Sequence, residues 1–318
     1  MTNPDTKIIQ DIISNIEKVI IGKNTQIKLV LTALLAKGHV LIEDTPGTGK
    51  TKMAKALAAS IDGTFKRVQF TPDLLPSDVT GLNIYNQKSQ EFEFMKGSIF
   101  TNILLGDEIN RATPRTQSCL LEAMAERQVT IDGTTRKLEE PFFLIATENP
   151  VETTGTFPLP EAQLDRFDIK IAMGFPSEEE ELELLNRYLS KDPEKELSPV
   201  CSLQDITSLQ ESVCNIYIHD DIKKYIIALV NATSFHEQIS LGINPRGLLS
   251  LAHLSQAYAY INGRNYVIPD DVKTLVKPCF SHRLMSLSGI NQKALIENAL
   301  NNILESIPVP TEDFSNHS

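Results

Sequence analysis

The sequence predicts an α/β fold in which a parallel sheet carries helices on both faces, followed by a smaller all-α domain. Five short apolar runs alternate with helix-period segments in the first half of the chain, and from about Pro176 only amphipathic helices follow. Strands that alternate with helices are typical of a parallel sheet. We therefore place an α/β domain at residues 1–175 and a helical domain at residues 176–310, with residues 311–318 as a disordered tail.

Each of these elements is predicted from a local pattern in the sequence. The five apolar runs lie at residues 40–42, 68–70, 103–105, 142–147 and 169–173. In the second domain, Ser177 and Glu180 have the spacing of a capping box and open a helix with leucines along one face. Further helices are predicted around residues 222–230 and 248–260, and from Pro269, whose ring fits the first helical position.

The composition and charge of the 318-residue chain limit its roles. Its net charge of -11 argues against nucleic acid as a partner, because phosphate backbones attract clustered lysine and arginine. The four cysteines have no metal-ligand spacing and predict neither a zinc site nor a disulfide framework. The N-terminus lacks a signal-peptide pattern, and no apolar run reaches the roughly 18 residues that a membrane span needs. We therefore expect a cytoplasmic protein without a membrane span.

The segment from Val40 to Thr51 has the pattern of a phosphate-binding P-loop: a strand, a Gly-rich turn and the start of a helix. Glycine permits a tight turn that aims successive backbone N–H groups at a phosphate, and the helix N-terminus adds partial positive charge. Lys50 should reach the β- and γ-phosphates of ATP, and the Thr51 hydroxyl should ligate Mg²⁺. Asp44 stands where the general pattern has glycine. The predicted nucleotide-binding residues of this loop are Pro46, Gly47, Thr48, Gly49, Lys50 and Thr51.

Two further strand ends carry polar side chains that suit phosphoryl transfer. The run at residues 103–105 leads into Asp107 and Glu108, which form a Walker B arrangement when they follow a P-loop. Asp107 should hold Mg²⁺ through its water shell, and Glu108 should polarise the attacking water. The run at residues 142–147 leads to Asn149, which precedes a proline. Asn149 is predicted to orient the same water; the alternative is an Asx-turn, in which it bonds its own backbone.

Four longer strings, in order and interleaved with these motifs, resemble MoxR-type AAA+ ATPases, which are P-loop NTPases with a helical lid domain. The strings are FTPDLLPSDVTG at residues 70–81, GDEINR at 106–111, LEAMAERQ at 121–128 and PLPEAQLDRF at 158–167. The resemblance extends from about residue 19 to residue 284. It implies that Asn149 is sensor 1, Arg166 the arginine finger and Arg246 sensor 2, and that Ile21 and Gly22 belong to the adenine-side loop.

The two implied arginines each have an alternative interpretation. A fixed guanidinium at Arg166 can neutralise charge that develops on the transferred phosphoryl group. The alternative for Arg166 is an ion pair with Asp165 or Asp168 in its own chain. Arg246 opens a predicted helix, and its alternative role is simply to cover protein surface.

Two β-hairpins are also predicted. The family carries a hairpin inserted in its second helix, and residues 78–94 match the position of that insertion. A second hairpin is readable from residues 129–138, where Asp132-Gly133 supplies the turn. The hairpins are structural, or they touch neighbouring subunits or a client protein. The sequence departs from the family at Ser98, where proline is usual, and at residues 243–244, where Ala-Ser is common.

The resemblance implies a Mg²⁺-dependent ATPase that forms a homo-oligomeric ring, with six subunits expected. It also implies a chaperone-like remodelling motor that assists the assembly or activation of other proteins, often alongside a partner with a von Willebrand A domain. Three alternatives remain: a magnesium-chelatase-like ATPase subunit, a DNA-translocating relative and a non-hydrolysing nucleotide-dependent scaffold. The acidic balance opposes the DNA alternative, and the presence of Glu108, Asn149 and Arg166 opposes the scaffold.

Overall fold

A computed structural model describes residues 4–45, 47–149, 155–288, 292–311 and Phe314. The strands are β1 (Val40–Glu43), β2 (Phe65–Gln69), β3 (Gly81–Asn86), β4 (Glu91–Lys96), β5 (Ile103–Asp107), β6 (Gln128–Ile131), β7 (Thr134–Lys137), β8 (Phe143–Glu148), β9 (Ile169–Ile171), β10 (Ile239–Leu241) and β11 (Met285–Ser286). The α-helices are α1 (Pro4–Glu17), α2 (Asn24–Leu35), α3 (Lys50–Ser60), α4 (Pro76–Thr80), α5 (Pro114–Glu126), α6 (Glu161–Leu164), α7 (Glu178–Ser190), α8 (Leu203–Val213), α9 (Asp220–Phe235), α10 (Pro245–Ile261), α11 (Pro269–Phe280) and α12 (Gln292–Ser306).

A five-stranded parallel sheet in the order β2-β5-β8-β1-β9 forms the centre of the first domain. All five predicted strands are present, and the predicted α/β fold with a parallel sheet is confirmed. Val40 of β1 pairs with Ile145 of β8 on one side and with Ile169 of β9 on the other. The three central strands, β5, β8 and β1, are nearly continuous apolar runs because helices cover both faces, so that side chains pointing in either direction are buried. The outer strands β2 and β9 also carry charged side chains.

The sheet separates two hydrophobic cores. Alternate side chains of β1 point to opposite faces, so Val40 and Ile42 join one core and Leu41 joins the other. The core on the Val40 side includes residues of α1, α2 and α3, and it continues into α9, α10 and α11 of the second domain. Helix α10 packs directly against α2. The second domain is therefore joined to the first through apolar packing.

The second domain is helical, as predicted, and α7 is the first helix after the predicted boundary. Ser177 and Glu180 form the predicted capping box, in which the Ser177 hydroxyl accepts from the Glu180 N–H and the Glu180 carboxylate accepts from the Ser177 N–H at 2.8 Å. The leucine face of α7 is not packed into the core; Leu182 is 61% exposed and Leu189 is 82% exposed. Strands β10 and β11 form a short antiparallel pair that the sequence pattern does not predict.

Both predicted hairpins are present on the first domain. Strands β3 and β4 pair over residues 81–96, slightly later than the predicted range. Strands β6 and β7 are joined at Asp132 and Gly133, whose φ angles of 50° and 76° are the two positive values of a type I′ turn. The β3–β4 hairpin exposes apolar side chains: Phe92 is 73% exposed and lies edge-on to Tyr85, with ring centroids 5.3 Å apart.

Little of the predicted disordered tail is described. Of residues 311–318, the structure describes Thr311 and Phe314. The Phe314 ring is buried and lies against His219, with ring centroids 5.9 Å apart, so at this position the tail is packed rather than disordered. The four cysteines are free thiols. Within the described part of the chain, no helix has both the length and the apolarity to cross a membrane.

Candidate nucleotide-binding site

The carboxyl ends of three neighbouring strands bring the predicted site residues together. In the sheet order, β5, β8 and β1 are adjacent. The P-loop follows β1, Asp107 ends β5, and Asn149 comes directly after β8. Because the carboxyl ends of parallel strands lie at one edge of the sheet, these segments face a common crevice, which is where ligands bind in open α/β sheets.

The P-loop has the backbone conformation that its glycines were predicted to permit. Gly47 and Gly49 have φ angles of 89° and 91°, a region that residues with a Cβ rarely adopt. Helix α3 begins at Lys50, so its N-terminal N–H groups point toward the loop. The Lys50 side chain is largely buried, and its ammonium donates to the Asp44 carbonyl at 2.9 Å. Thr51 is the second residue of α3, Thr48 donates to the Thr45 carbonyl, and the predicted Pro46 lies outside the described residues.

The loop predicted on the adenine side lies beside the P-loop. A Cβ added to Gly49 would lie 3.7 Å from the Ile20 side chain, so the segment that holds Ile21 and Gly22 borders the phosphate loop. Gly22 has a φ of 70°, and a Cβ there would overlap the Glu180 carboxylate of α7. Glycine at this position therefore lets the first helix of the second domain approach the adenine-side loop.

Asp44, which departs from the general P-loop pattern, joins the P-loop to the segment that follows β9. Its Oδ1 accepts from the Thr45 N–H at 2.8 Å, and its Oδ2 accepts from the Gly174 N–H at 2.8 Å. Gly174 follows β9 and leads into α7. A glycine at position 44 would have no carboxylate to make these bonds, so the departure has a structural explanation.

Asp107 is held by side chains from the strands on either side of β5. Its Oδ1 accepts from the Thr147 hydroxyl of β8 at 2.6 Å, and its Oδ2 accepts from Arg67 of β2 through Nη2 at 2.6 Å and Nε at 3.1 Å. The Thr147 hydroxyl in turn accepts from the Glu108 N–H at 2.8 Å. Both oxygens of the predicted metal-binding carboxylate are therefore fixed in place.

Glu108 has a left-handed backbone conformation, with a φ of 56°. Such a conformation is strained for a residue with a Cβ and is commonly found at functional sites. The Glu108 Oε2 accepts from Gln69 Nε2 at 2.8 Å and from Arg111 Nη1 at 3.1 Å. Asn149, at the end of the neighbouring strand β8, is buried. The predicted water-activating and water-orienting residues thus lie at the same edge as the P-loop.

The predicted arginine finger lies near the amino ends of the strands, on the side of the sheet opposite to the P-loop. Arg166 precedes β9 by three residues, and Ile169 pairs with Val40 at the start of β1, whereas the P-loop follows the end of β1. The Arg166 guanidinium donates to the Leu121 carbonyl of α5 at 2.5 Å. The two aspartates considered as its partners bind other groups: Asp165 pairs with Arg283 at 2.9 Å, and Asp168 accepts from the His39 N–H at 3.0 Å.

Arg246 lies on the same side of the molecule as Arg166. It is the second residue of α10 and is exposed, and the preceding Asn244 donates to the Asp165 carboxylate at 2.9 Å. Burial lowers the pKa of His39, which precedes β1, to about 4, and the charge of Arg246 acts in the same direction. The structure therefore places Arg166 and Arg246 together and away from the P-loop of their own chain.

Comparison with known proteins decides the family of this chain. Residues 39–169 match the family described as ATPase family associated with various cellular activities (AAA), and residues 231–302 match the AAA lid domain. The chain is 38% identical over 308 residues to Chaperone MoxR1 of Mycobacterium tuberculosis, an alignment that covers 94% of this chain and 81% of that protein. It belongs to the MoxR family of AAA+ ATPases.

Two further comparisons show how much of the chain is matched by other proteins. The protein YeaC of Bacillus subtilis is 50% identical over 305 residues, which cover 94% of each chain. The crystal structure of a predicted ATPase from Cytophaga hutchinsonii superposes with a TM-score of 0.88 and 37% identity, over 96% of each chain. The AAA+ fold with its lid domain therefore extends over nearly the whole chain.

Several residues of the MoxR-family site were not predicted from the sequence. Arg67, Gln69 and Thr147 bind the carboxylates of Asp107 and Glu108, yet each lies about forty positions away from its partner in the chain. Their position at the carboxyl ends of β2 and β8 is the signal that could have identified them, but it requires the order of the strands. Arg283 pairs with Asp165 across 118 positions and had no sequence signal at all.

Proposed function

We propose that this MoxR-family chain binds ATP with Mg²⁺ and hydrolyses it. The observation that carries the proposal is the convergence of the P-loop, Asp107, Glu108 and Asn149 at the carboxyl ends of three adjacent strands. The N–H groups from Gly47 onward and the start of α3 supply a positive environment for phosphates. On binding, Lys50 exchanges its bond to a backbone carbonyl for the β- and γ-phosphates of ATP.

Thr51 and Asp107 are the residues that would hold Mg²⁺. They offer hydroxyl and carboxylate oxygens, which are the ligands that Mg²⁺ prefers. The Asp107 Oδ2 lies 2.6 Å from the guanidinium of Arg67, so Mg²⁺ would have to share this carboxylate with Arg67 or displace it. Bound Mg²⁺ would neutralise charge on the β- and γ-phosphate oxygens. Among the described residues, no group of three or more carboxylate, histidine or cysteine side chains forms a separate metal site.

Hydrolysis depends on Glu108 and Asn149. Glu108 polarises the water that attacks the γ-phosphate, and Asn149 orients that water from the neighbouring strand. The Oε2 of Glu108 accepts from Gln69 and Arg111, and these bonds orient the carboxylate at this end of the sheet. Positioning and charge account for most of the catalysis in phosphoryl transfer. The side chains at this end of the sheet supply these functions, except for a positively charged group that contacts the transferred phosphoryl group.

We infer that this cation comes from a neighbouring subunit. Strand β1 alone spans about 13 Å at roughly 3.3 Å per residue, and Arg166 and Arg246 lie beyond its amino end while the P-loop lies beyond its carboxyl end. A chain that carries the two halves of a site on opposite edges can complete it only by head-to-tail assembly, which closes into a ring when the rotation permits. We propose a homo-oligomeric ring of six subunits.

The proposed output of the ATPase cycle is remodelling of other proteins in the cytoplasm. The similarity to a protein named Chaperone MoxR1 supports this role. The apolar side chains exposed on the β3–β4 hairpin, such as Phe92, provide a surface for a client protein or a neighbouring subunit. A von Willebrand A-domain protein is the proposed partner. Identifying the proteins that co-purify with the Glu108→Gln variant as bait would test the role; recovery of pigment-synthesis proteins would favour the chelatase alternative.

Replacing Lys50 with alanine should weaken ATP binding by roughly 100-fold or more. Each charge-assisted hydrogen bond contributes about 1.5–3 kcal/mol, and Lys50 is expected to make two of them with the phosphates. Isothermal titration with MgATP is the measurement. Lys55→Ala, on the exposed face of the same helix, is the matched control and should bind like wild type. Unchanged affinity in folded Lys50→Ala protein would refute the P-loop assignment.

Replacing Arg246 with alanine should weaken the coupling between ATP and the position of the lid domain. The helix that carries Arg246 is part of the lid. Without the contact between the Arg246 guanidinium and a phosphate of ATP, the position of the lid should depend less on whether ATP is bound. Limited proteolysis of assembled protein, with and without ATP, should show less ATP-dependent protection than wild type. His253→Ala, exposed on the same helix, should behave like wild type. Equal protection in wild type and Arg246→Ala would exclude this coupling.

A further inference from the structure

We propose that Arg283 is a positioning residue that holds Arg166 and Arg246 in one rigid unit, so that both cations reach the same neighbouring nucleotide together. This inference rests on the proposed role of the two arginines. Arg283 lies just after α11 in the lid domain, and its side chain is only 2% exposed. It is therefore shielded from solvent and cannot itself touch a nucleotide on a neighbouring subunit.

The link begins at Asp165, which directly precedes Arg166. The Asp165 Oδ1 accepts from Arg283 Nε at 2.9 Å, and its Oδ2 accepts from Asn244 Nδ2 at 2.9 Å. One carboxylate is thus shared by a buried cation and by the residue that opens the helix of Arg246. Because Asp165 and Arg166 are consecutive, fixing this carboxylate also limits the directions that the Arg166 side chain can take.

Other N–H groups of Arg283 bind the backbone on both sides of Arg166, while Nη1 also donates to the Cys279 carbonyl of α11 at 2.5 Å. Its Nη2 donates to the Phe167 carbonyl at 2.8 Å and, more weakly, to the Asp165 carbonyl at 3.4 Å. Its Nη1 donates to the Asp168 carbonyl at 3.3 Å. A planar guanidinium with five N–H groups can bind several acceptors in a fixed geometry, whereas a lysine ammonium is a single point of charge.

The second half of the link reaches Arg246 through the start of α10. The Asn244 Oδ1 accepts from the Gly247 N–H at 2.9 Å, so the same amide that donates to Asp165 also caps the helix of Arg246. Gly247 permits this packing, because a Cβ there would lie 3.1 Å from the Arg283 side chain and 2.7 Å from that of Ile243. The helix therefore lies directly on Arg283.

Stability alone does not explain this arrangement. A buried ion pair is often no more stabilising than well-packed apolar side chains of similar volume, because both charges lose their hydration. Apolar side chains could fill the space, but they could not bind the Asp165 carboxylate and the carbonyls that flank Arg166. The geometry instead fixes the relative position of two segments whose linked residues, Asp165 and Asn244, are 79 positions apart in the chain.

The test uses two substitutions that interrupt the link differently. Arg283→Lys keeps the charge but cannot span the acceptors, and we expect kcat of the assembled protein to fall roughly 100-fold, the loss associated with about 1 Å of misplacement. Asn244→Ser keeps a helix-capping hydroxyl and loses the bond to Asp165, and we expect a fall of roughly 10-fold, since a hydrogen bond to a charged group is lost. The affinity for ATP should stay as in wild type, because each variant retains its P-loop.

Mixed assemblies distinguish positioning from a general loss of structure. Arg283→Lys protein mixed with Lys50→Ala protein should regain turnover, because intact P-loops then meet intact arginines. The Lys50→Ala/Arg283→Lys double variant should fail to rescue Arg166→Ala protein, although Lys50→Ala alone rescues it. Arg264→Lys is the matched control: Arg264 is another lid arginine paired with an aspartate, Asp271, at 2.5 Å, and its variant should behave like wild type in all mixtures.

The outcomes separate this inference from the proposed function. Wild-type kcat in assembled Arg283→Lys and Asn244→Ser proteins, with Arg166→Ala inactive, would overturn the positioning role and leave the finger assignment intact. Full activity of Arg166→Ala would instead overturn the finger itself. If Arg283→Lys fails to assemble, Asn244→Ser decides, because Asn244 is exposed and its replacement retains the cap; a wild-type kcat for that variant would overturn the inference.

Discussion

Replacing Arg166 with alanine should reduce ATP turnover by roughly 10³-fold or more while ATP binding remains near the wild-type level. Arginine fingers supplied from a second subunit contribute about 10³ to 10⁵ in rate in GTPases, which is an upper guide for this protein. Binding should persist because Lys50 and Thr51 lie at the other edge of the sheet. In its own chain, the Arg166 side chain donates to the Leu121 carbonyl and is half-buried, so the variant should keep its fold.

Mixing this variant with Lys50→Ala protein tests whether the finger acts between subunits. An Arg166→Ala subunit keeps its P-loop, and a Lys50→Ala subunit keeps its arginine, so mixed rings contain some complete sites. Phosphate release should rise above that of either variant alone and depend on the mixing ratio, while light scattering follows the assembly state. A finger that serves its own chain could never be complemented in this way. Arg115→Ala, exposed on α5, is the control and should retain wild-type turnover.

Replacing Glu108 with glutamine should reduce turnover by roughly 10² to 10⁴-fold, the range expected when a general base is removed. Glutamine keeps the shape of the side chain and can still accept from Gln69 and Arg111, but its amide cannot polarise water as a carboxylate does. MgATP should bind about as well as it does to wild type. Steady-state phosphate release and isothermal titration measure the two quantities separately.

A matched control for this variant is Glu126→Gln, which removes a carboxylate from the exposed end of α5 in the same domain. Its turnover should equal that of wild type. If Glu108→Gln turned over within a few-fold of wild type, another group would have to activate the water. Weaker MgATP binding by the same variant would indicate that Glu108 also contributes to metal binding, which the present assignment gives to Asp107.

The parts of the site that were predictable are those encoded in one contiguous segment. The turn at Gly47 and Gly49 and the start of α3 at Lys50 depend only on local backbone preferences, so the P-loop was readable directly. Strands β1, β5 and β8 were readable because each is a buried apolar run, whereas β2 and β9 were readable only from a short apolar stretch that overlaps each of them. The type I′ turn at Asp132-Gly133 was readable because so few dipeptides favour two positive φ angles.

The contacts that fix the side chains of the candidate site could not be predicted, because they depend on which strands become neighbours. Asp107 receives bonds from Thr147 and Arg67 only because β5 lies between β8 and β2. The α7 leucines were predicted from their helical spacing to form an apolar face. Periodicity alone does not indicate whether another element of the same chain covers that face. In this structure Leu189 remains 82% exposed.

The P-loop and the two arginines lie at opposite ends of the strands of one sheet. This placement determines how ATP turnover depends on protein concentration. If each complete site combines the P-loop of one protomer with the arginines of its neighbour, an isolated protomer in dilute solution binds nucleotide and does not hydrolyse it. Turnover per protomer should then rise with protein concentration and level off once rings are filled. Dilution would act as an off-switch that needs no inhibitor, and raising the local concentration at a client would act as the corresponding on-switch.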